Sequence, residues 1–259
     1  MNFSYLEPNV LNVFTDASTS SGDDKQNLAV GSGFILVNQD QIIGSDVVVF
    51  PATTSAFGEL YAVFMGVSAI YTDVYTKRYY GIEPQYQCIY NLFSDSLYAI
   101  QAIRSWIIGW MKKAKPRKAI VNENGQTEYQ HPILTNSEGK IKHQECLLHI
   151  VDTIIASNVH INLYHIKGHM NPEKEYDINK AMNLFVKCNK DILKGARVPK
   201  EYIQNIIYWN NKIDIYSRKI LYATGVFNKE IRDKLGKFKW PIEVYPTREQ
   251  QCLYQKLVQ

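Results

Sequence analysis

Two stretches of this 259-residue chain each run from a β-rich segment into an aspartate, and this repeated placement restricts the available folds more than any other feature. Leu11-Asn12-Val13-Phe14-Thr15 leads to Asp16, and Cys88-Ile89-Tyr90-Asn91-Leu92-Phe93 leads through Ser94 to Asp95. The β-branched and aromatic residues suit a pleated, half-buried surface, and the small polar run from Ala17 to Gly22 reads as a turn. One aspartate at a strand end is most often a turn residue. Two at the C-terminal edge of one α/β sheet stand where sites are built.

Between the two aspartates the pattern predicts an antiparallel meander. Gly31 to Val37 reads as a second strand, Asn38-Gln39-Asp40 as a turn, and Gln41 to Phe50 as a third strand, closed by Pro51. A helix follows, capped by Thr54 or Ser55. It is apolar on almost every side from Leu60 to Tyr71, as a buried helix is. Glu59 is expected in its first turn, where an anion meets the helix dipole favourably.

Beyond Asp95 a helix from Leu97 to Met111 carries Ile100, Ile103, Trp106, Ile107 and Trp110 at helical spacing, and Lys112-Lys113-Ala114-Lys115-Pro116-Arg117-Lys118 extends it. A cationic run is usually a solvated surface; beside two tryptophans it also suits a phosphate backbone. Residues 119–142 read as loop, Gln144 to Ser157 as helix and Val159 to Ile166 as a strand. Lys167-Gly168-His169 is the loop after that strand, where a histidine could move protons near neutral pH. Residues 172–194 read as a polar helical segment, Gly195 to Pro199 as a break, and Lys200 to Leu221 as a further helix.

Net charge is only +4, so the sum alone does not call for a nucleic-acid partner. The four cysteines are far apart without a CxxC pair, which suggests a reducing compartment and neither a disulfide framework nor a zinc site. No apolar run is long enough to span a membrane. A cytoplasmic monomer is expected.

The order strand-Asp, strand, strand, helix-Glu, strand-Asp, helix with a basic end, helix, strand, loop-His, helix resembles the type I ribonuclease H family, and short motifs match it in sequence. Phe14-Thr15-Asp16-Ala17-Ser18 resembles F-T-D-G-S; Thr53-Thr54 with Glu59-Leu60 resembles T-T-x-x-x-x-E-L; Ser94-Asp95-Ser96 with Tyr98 resembles T-D-S-x-Y. His165 to His169 is similar to W-V-K-G-H, and Asn210 to Lys219 to N-x-x-x-D-x-L-A-R. The resemblance implies an α/β fold with a five-stranded mixed sheet, three antiparallel strands then two parallel, flanked by helices. It implies a nuclease that cuts the RNA strand of RNA/DNA hybrids. Asp16 would bridge two metal ions, Glu59 and Asp95 would serve one and Asp214 the other, and His169 would assist proton transfer or product release. Trp106, Lys112, Lys113, Lys115, Arg117 and Lys118 would form a basic handle, and Thr54 and Ser55 would touch the hybrid.

The chemistry agrees with that set. Hydrolysis of a phosphodiester needs an activated water and a stabilised leaving oxyanion, which two divalent cations about 4 Å apart supply. Holding two dications together requires several carboxylates, and hard oxygen ligands select Mg²⁺, with Mn²⁺ as substitute.

The departures are specific. Ala17 replaces the family glycine, and Ser55 and Ala56 stand where paired asparagines usually touch ribose hydroxyls, which weakens the expected 2′-hydroxyl contact. Residues 170–209 read as a helical insertion within a catalytic domain of residues 1–222, with a C-terminal extension over 223–259 whose role the sequence does not show. The insertion leaves two candidates for the fourth acid: Asp177 by distance from His169, and Asp214 by motif. The insertion could then lie over the substrate groove as a mobile lid. Two rivals stand beside the hybrid nuclease: a DNA nuclease of the same superfamily, and a hybrid-binding protein without activity.

Overall fold

A computed structural model describes residues 3–20, 28–52, 54–81, 88–114, 119–121, 127–129, 133–223 and 248–258. Strands β1 (Val10–Thr19), β2 (Leu28–Asn38) and β3 (Gln41–Ala52) form the antiparallel meander. Gln39 and Asp40, with φ of 46° and 63°, make the two-residue turn between β2 and β3, the paired left-handed conformation that matches strand twist. Strand β1 does not stop at Asp16. It pairs with β2 through Thr19 opposite Val30, so the run expected as a turn is still ladder.

Helix α1 (Ser55–Tyr79) follows, capped by Thr54, whose hydroxyl accepts the Phe57 amide at 3.2 Å. Strand β4 (Ile89–Ser94) leads into α2 (Leu97–Gln101), a π-helical turn (Ala102–Trp106) and α3 (Ile107–Lys113). The stretch expected as loop contains two short hairpins, β5 (Ala119–Val121) with β6 (Thr127–Tyr129) and β7 (Thr135–Asn136) with β8 (Gly139–Lys140). After α4 (Gln144–Ser157), strand β9 (Ile161–His165) completes a five-stranded sheet of order β3-β2-β1-β4-β9, with β1, β4 and β9 parallel.

Three asparagines fix the parallel register. Asn91 on β4 donates to Asn12 Oδ1 on β1 at 3.0 Å and accepts from Asn162 on β9 at 3.0 Å. Asn12 and Asn91 are fully buried, and a buried amide left unpaired costs about 1–3 kcal/mol. A one-residue slip would break this ladder and turn the strands' side chains to the opposite faces.

The side chains of β1 alternate between two cores. Leu11 and Val13 pack with α1, α4 and the α2–α3 segment, while Phe14 packs with Ile35, Phe93 and Tyr164 under α5 (Glu175–Cys188) and α7 (Lys200–Ala223). Helix α7 lies close on β2 because two glycines leave room. A Cβ at Gly31 would stand 2.7 Å from the Ser217 carbonyl oxygen, and one at Gly33 3.0 Å from Ile213 Cδ1.

Two segments of open role find places here. The apolar face of residues 170–209, which includes α6 (Lys190–Leu193), contributes Ile178, Phe185, Leu193, Ile203 and Ile207 to the second core, together with Phe3 and Tyr5 from the start of the chain. A segment held by that much apolar burial is not a lid. At the other end, α8 (Arg248–Val258) puts Tyr254, Leu257 and Val258 into the first core. The Tyr254 hydroxyl, fully buried, donates to Ile103 O at 2.5 Å. That carbonyl belongs to the π-helical turn, where the regular helical ladder is interrupted.

Candidate metal centre

The first two aspartates meet because β1 and β4 are parallel neighbours, with Thr15 level with Ser94. Glu59 reaches the same point from α1, in its second turn and not its first, so helix-dipole stabilisation is not what places it. What places it is close packing at Gly58, where any Cβ would overlap Val30 Cγ1. Ala17 is the other small partner there, with its methyl 3.2 Å from that position. One carboxylate oxygen each from Asp16, Glu59 and Asp95 lie within 4.8 Å of one another.

Such a cluster is electrostatically costly without a cation. Burial first, and then the charges of Asp95 and Asp214, push the Asp16 carboxyl up to about 8. Burial drives Glu59 well above the ordinary carboxylate range, with Asp16 and Asp95 adding to the rise. Asp95 is also raised, by burial and by Asp214, against the pull of His169 and Lys167. Glu59 Oε2 is buried with no hydrogen-bond partner, and buried polar atoms are rarely left so. Three converging carboxylates with one orphaned oxygen fit a divalent cation with oxygen ligands.

Asp214 closes the cluster from α7. It lines the same pocket of about 340 Å³ as Asp16, Glu59, Asp95 and His169. Its Oδ1 accepts from Ser18 Oγ at 3.3 Å, and Arg218 Nη2 donates to both its oxygens at 2.9 and 3.0 Å. Asp177, the other candidate, lies in the first turn of α5 and accepts from the Asn171 amide at 3.0 Å; it does not line the pocket. No residue from 170–209 lines it.

His169 takes a left-handed conformation, φ 57°, at the pocket mouth, with its side chain 77% exposed and Nδ1 3.9 Å from Asp214 Oδ2. Its loop approaches Asp95 because residue 168 is glycine. His165 holds Asp95 from behind, with Nε2 3.2 Å from the Asp95 carbonyl oxygen.

A second depression of about 730 Å³ is lined by Thr54, Ala56, Tyr98, Trp106 and Trp110 and by Asn136, Glu138 and residues 140–143 of the β7–β8 hairpin and its exit. His143 joins its two walls, with Nε2 2.9 Å from Thr54 Oγ1. Ser55 is exposed beside this cleft without lining it, and Lys112 and Lys113 are exposed at the end of α3. Lys115, Arg117 and Lys118 lie outside the described residues. The contacts of Ser18 with Asp214 and of His143 with Thr54 have no counterpart in sequence spacing, since each joins elements distant in the chain; Arg218, four residues from Asp214 on one helix, was the contact that spacing could have shown.

No helix among the described residues is long and apolar enough to cross a membrane. No curated protein matches the chain at a significant level. Among solved structures, LC9-RNase H1, described as a type 1 RNase H with the type 2 active-site motif, is 16% identical, with 73% of this chain and 75% of that one covered and a TM-score of 0.44. The foamy viral protease-reverse transcriptase, solved with an RNA/DNA hybrid, is 14% identical over 74% of this chain, which spans 21% of that longer one, with a TM-score of 0.42. RNase H1 from the halophilic archaeon Halobacterium salinarum is 11% identical, with coverage of 70% and 98% and a TM-score of 0.36. The RNase H family model matches residues 8–181, ending inside α5 and short of Asp214. A match over most of the chain, on a sheet of this strand order, means that the chain belongs to the RNase H family.

Proposed function

We propose that this protein is an endoribonuclease that hydrolyses the RNA strand of RNA/DNA hybrids with two Mg²⁺ ions, which Mn²⁺ can replace. The observation that carries the reading is the Asp16–Glu59–Asp95 cluster, three carboxylates within 4.8 Å with an orphaned Glu59 oxygen. Asp16 would serve both ions, Glu59 and Asp95 one and Asp214 the other, and the chemistry supplied there would be an activated water and a stabilised leaving oxyanion.

The protein's own groups do the rest. Strand and helix packing holds the carboxylates rigidly, so little reorganisation is needed when substrate arrives. Ser18 and Arg218 orient Asp214. His169, exposed at the mouth, carries a proton between the leaving oxygen and solvent. The scissile phosphate enters beside it, and the cleft floored by Trp106 and Trp110 receives the paired DNA strand, with Thr54 and Ser55 at its edge and Lys112, Lys113, Lys115, Arg117 and Lys118 as the basic handle that grips the backbone.

One observation favours a second reading, a DNA nuclease at the same acids. Ala56 lines the cleft where it offers no group to a 2′-hydroxyl. Incubating the protein and Mg²⁺ with RNA/DNA, RNA/RNA and DNA/DNA duplexes side by side separates the two. Cleavage of the RNA strand in the hybrid alone supports the proposal. Cleavage of DNA/DNA as fast as the hybrid supports the alternative, and binding without cleavage of any duplex rejects both.

A further inference from the structure

Helix α7 does more than present Asp214. Its outward side carries Tyr208, Lys212, Tyr216 and Lys219, spaced four, four and three residues apart and so running down one side of the helix. The three residues other than Lys212 are exposed, and Lys212 is half-buried. Lys212 Nζ sits 5.3 Å from the centre of the Tyr208 ring and 3.2 Å from its hydroxyl. Within the described residues no carboxylate pairs with Lys212 or Lys219, whereas Arg218 on the same helix is committed to Asp214. The side is therefore cationic and aromatic together, and Tyr222, three residues beyond Lys219 and its neighbour on the helix surface, lines the acidic pocket.

From this geometry we infer that the outer side of α7 binds an unpaired RNA segment continuous with the strand being cut. The inference rests on the hybrid-nuclease reading above and extends its substrate to hybrids with a single-stranded RNA extension. Charge complementarity selects a polyanion. Lys212 and Lys219 are two helical turns apart, about 10.5 Å, far enough to meet separate phosphates of one strand. Exposed tyrosines alternating with such cations can stack unpaired bases, which a duplex does not offer. Continuity selects the strand: the side adjoins the pocket that takes the scissile phosphate, and the tryptophan-lined cleft for the paired strand involves none of its residues.

The test measures affinity by fluorescence anisotropy in EDTA, where no cleavage occurs. The probes are a blunt hybrid, the same hybrid with unpaired RNA at either end of its RNA strand, and the same hybrid with unpaired DNA on its DNA strand. Wild type is compared with a Lys212→Gln/Lys219→Gln variant, and Tyr208→Ala serves as a second variant, all checked for fold by circular dichroism. One RNA extension is expected to tighten wild-type binding about tenfold, a gain within the range of a stacked base. Both variants should lose that gain while binding the blunt hybrid as wild type does. The double variant should also flatten the salt slope on the extended probe by about 1.4, two single-strand phosphate contacts. No gain in wild type, a gain retained in both variants, or an equal gain from the DNA extension would overturn the inference. If wild type binds no hybrid, the underlying reading fails. A free single-stranded RNA then decides the α7 side alone: weaker binding by the double variant upholds it, and equal binding rejects it.

Discussion

The backbone of Gly168 lies directly against the carboxylate of Asp95, so that a Cβ at residue 168 would overlap Asp95 Oδ2. The glycine's role is therefore close approach and not an unusual φ. Gly168→Ala must push apart the His169 loop and one member of the acid cluster. Turnover of a hybrid is expected to fall at least a hundredfold, the scale on which an ångström-level misplacement acts, with affinity for the hybrid changed by less than about threefold. Equal losses in affinity and turnover would show that the substitution disrupts binding in general.

The fourth acid is decided by comparing Asp214→Asn with Asp177→Asn under identical Mg²⁺. Asp214 lines the pocket and Asp177 serves a local turn at Asn171. Asp214→Asn should cost a large part of the turnover and Asp177→Asn should leave it near normal. The opposite result would move the site to α5, where the family-model match ends.

The raised carboxyls set a pH dependence for the metal-free protein. Asp16 is pushed up to about 8 from an ordinary 3.8, so the folded state binds its proton more tightly than the unfolded state does. The stability this contributes is complete below about 4 and is lost as pH rises through about 8. In EDTA the melting temperature should therefore fall between about pH 6 and about pH 9, and less steeply in Asp16→Asn. Mg²⁺ must displace the remaining protons, so it should raise the melting temperature more at the alkaline end, by about 3 °C or more for a chain of this size. A larger Mg²⁺ effect at the acidic end would contradict the assignment.

Tyr254→Phe leaves the Ile103 carbonyl of the π-helical turn without its buried donor. The expected cost is about 1–3 kcal/mol, read from chemical denaturation, with turnover of a hybrid by the folded protein unchanged. A neutral result would mean that α8 only covers the core.

Much of this architecture was legible in the sequence because the relevant signals are local. Strand patterns, a helix apolar on almost every side and the Asp16 and Asp95 settings predict an antiparallel meander and an acid-bearing edge, and the resemblance to the ribonuclease H family implies the mixed sheet. Asp214 was legible only through the motif around it, since the forty residues before it had no visible packing partner. That partner is Phe3 and Tyr5, at the far end of the chain, and a long-range contact of this kind leaves no periodicity to read. The same reason hid α8, whose Tyr254 bonds Ile103 of the π-helical turn across a sequence separation of 151. Asn12, Asn91 and Asn162 look in sequence like weak points in three strands; only their alignment shows that they set the register.

The central claim is that Asp16 is the shared carboxylate of a metal-dependent hybrid nuclease. It is tested most directly by the rate at which Asp16→Asn cuts the RNA strand of a hybrid in Mg²⁺, beside its affinity for that hybrid. The expected result is turnover reduced at least a hundredfold, since the side chain sits in a cluster of like charges that could hold a cation, with affinity and fold close to wild type. Retention of more than a few per cent of wild-type turnover would contradict the account.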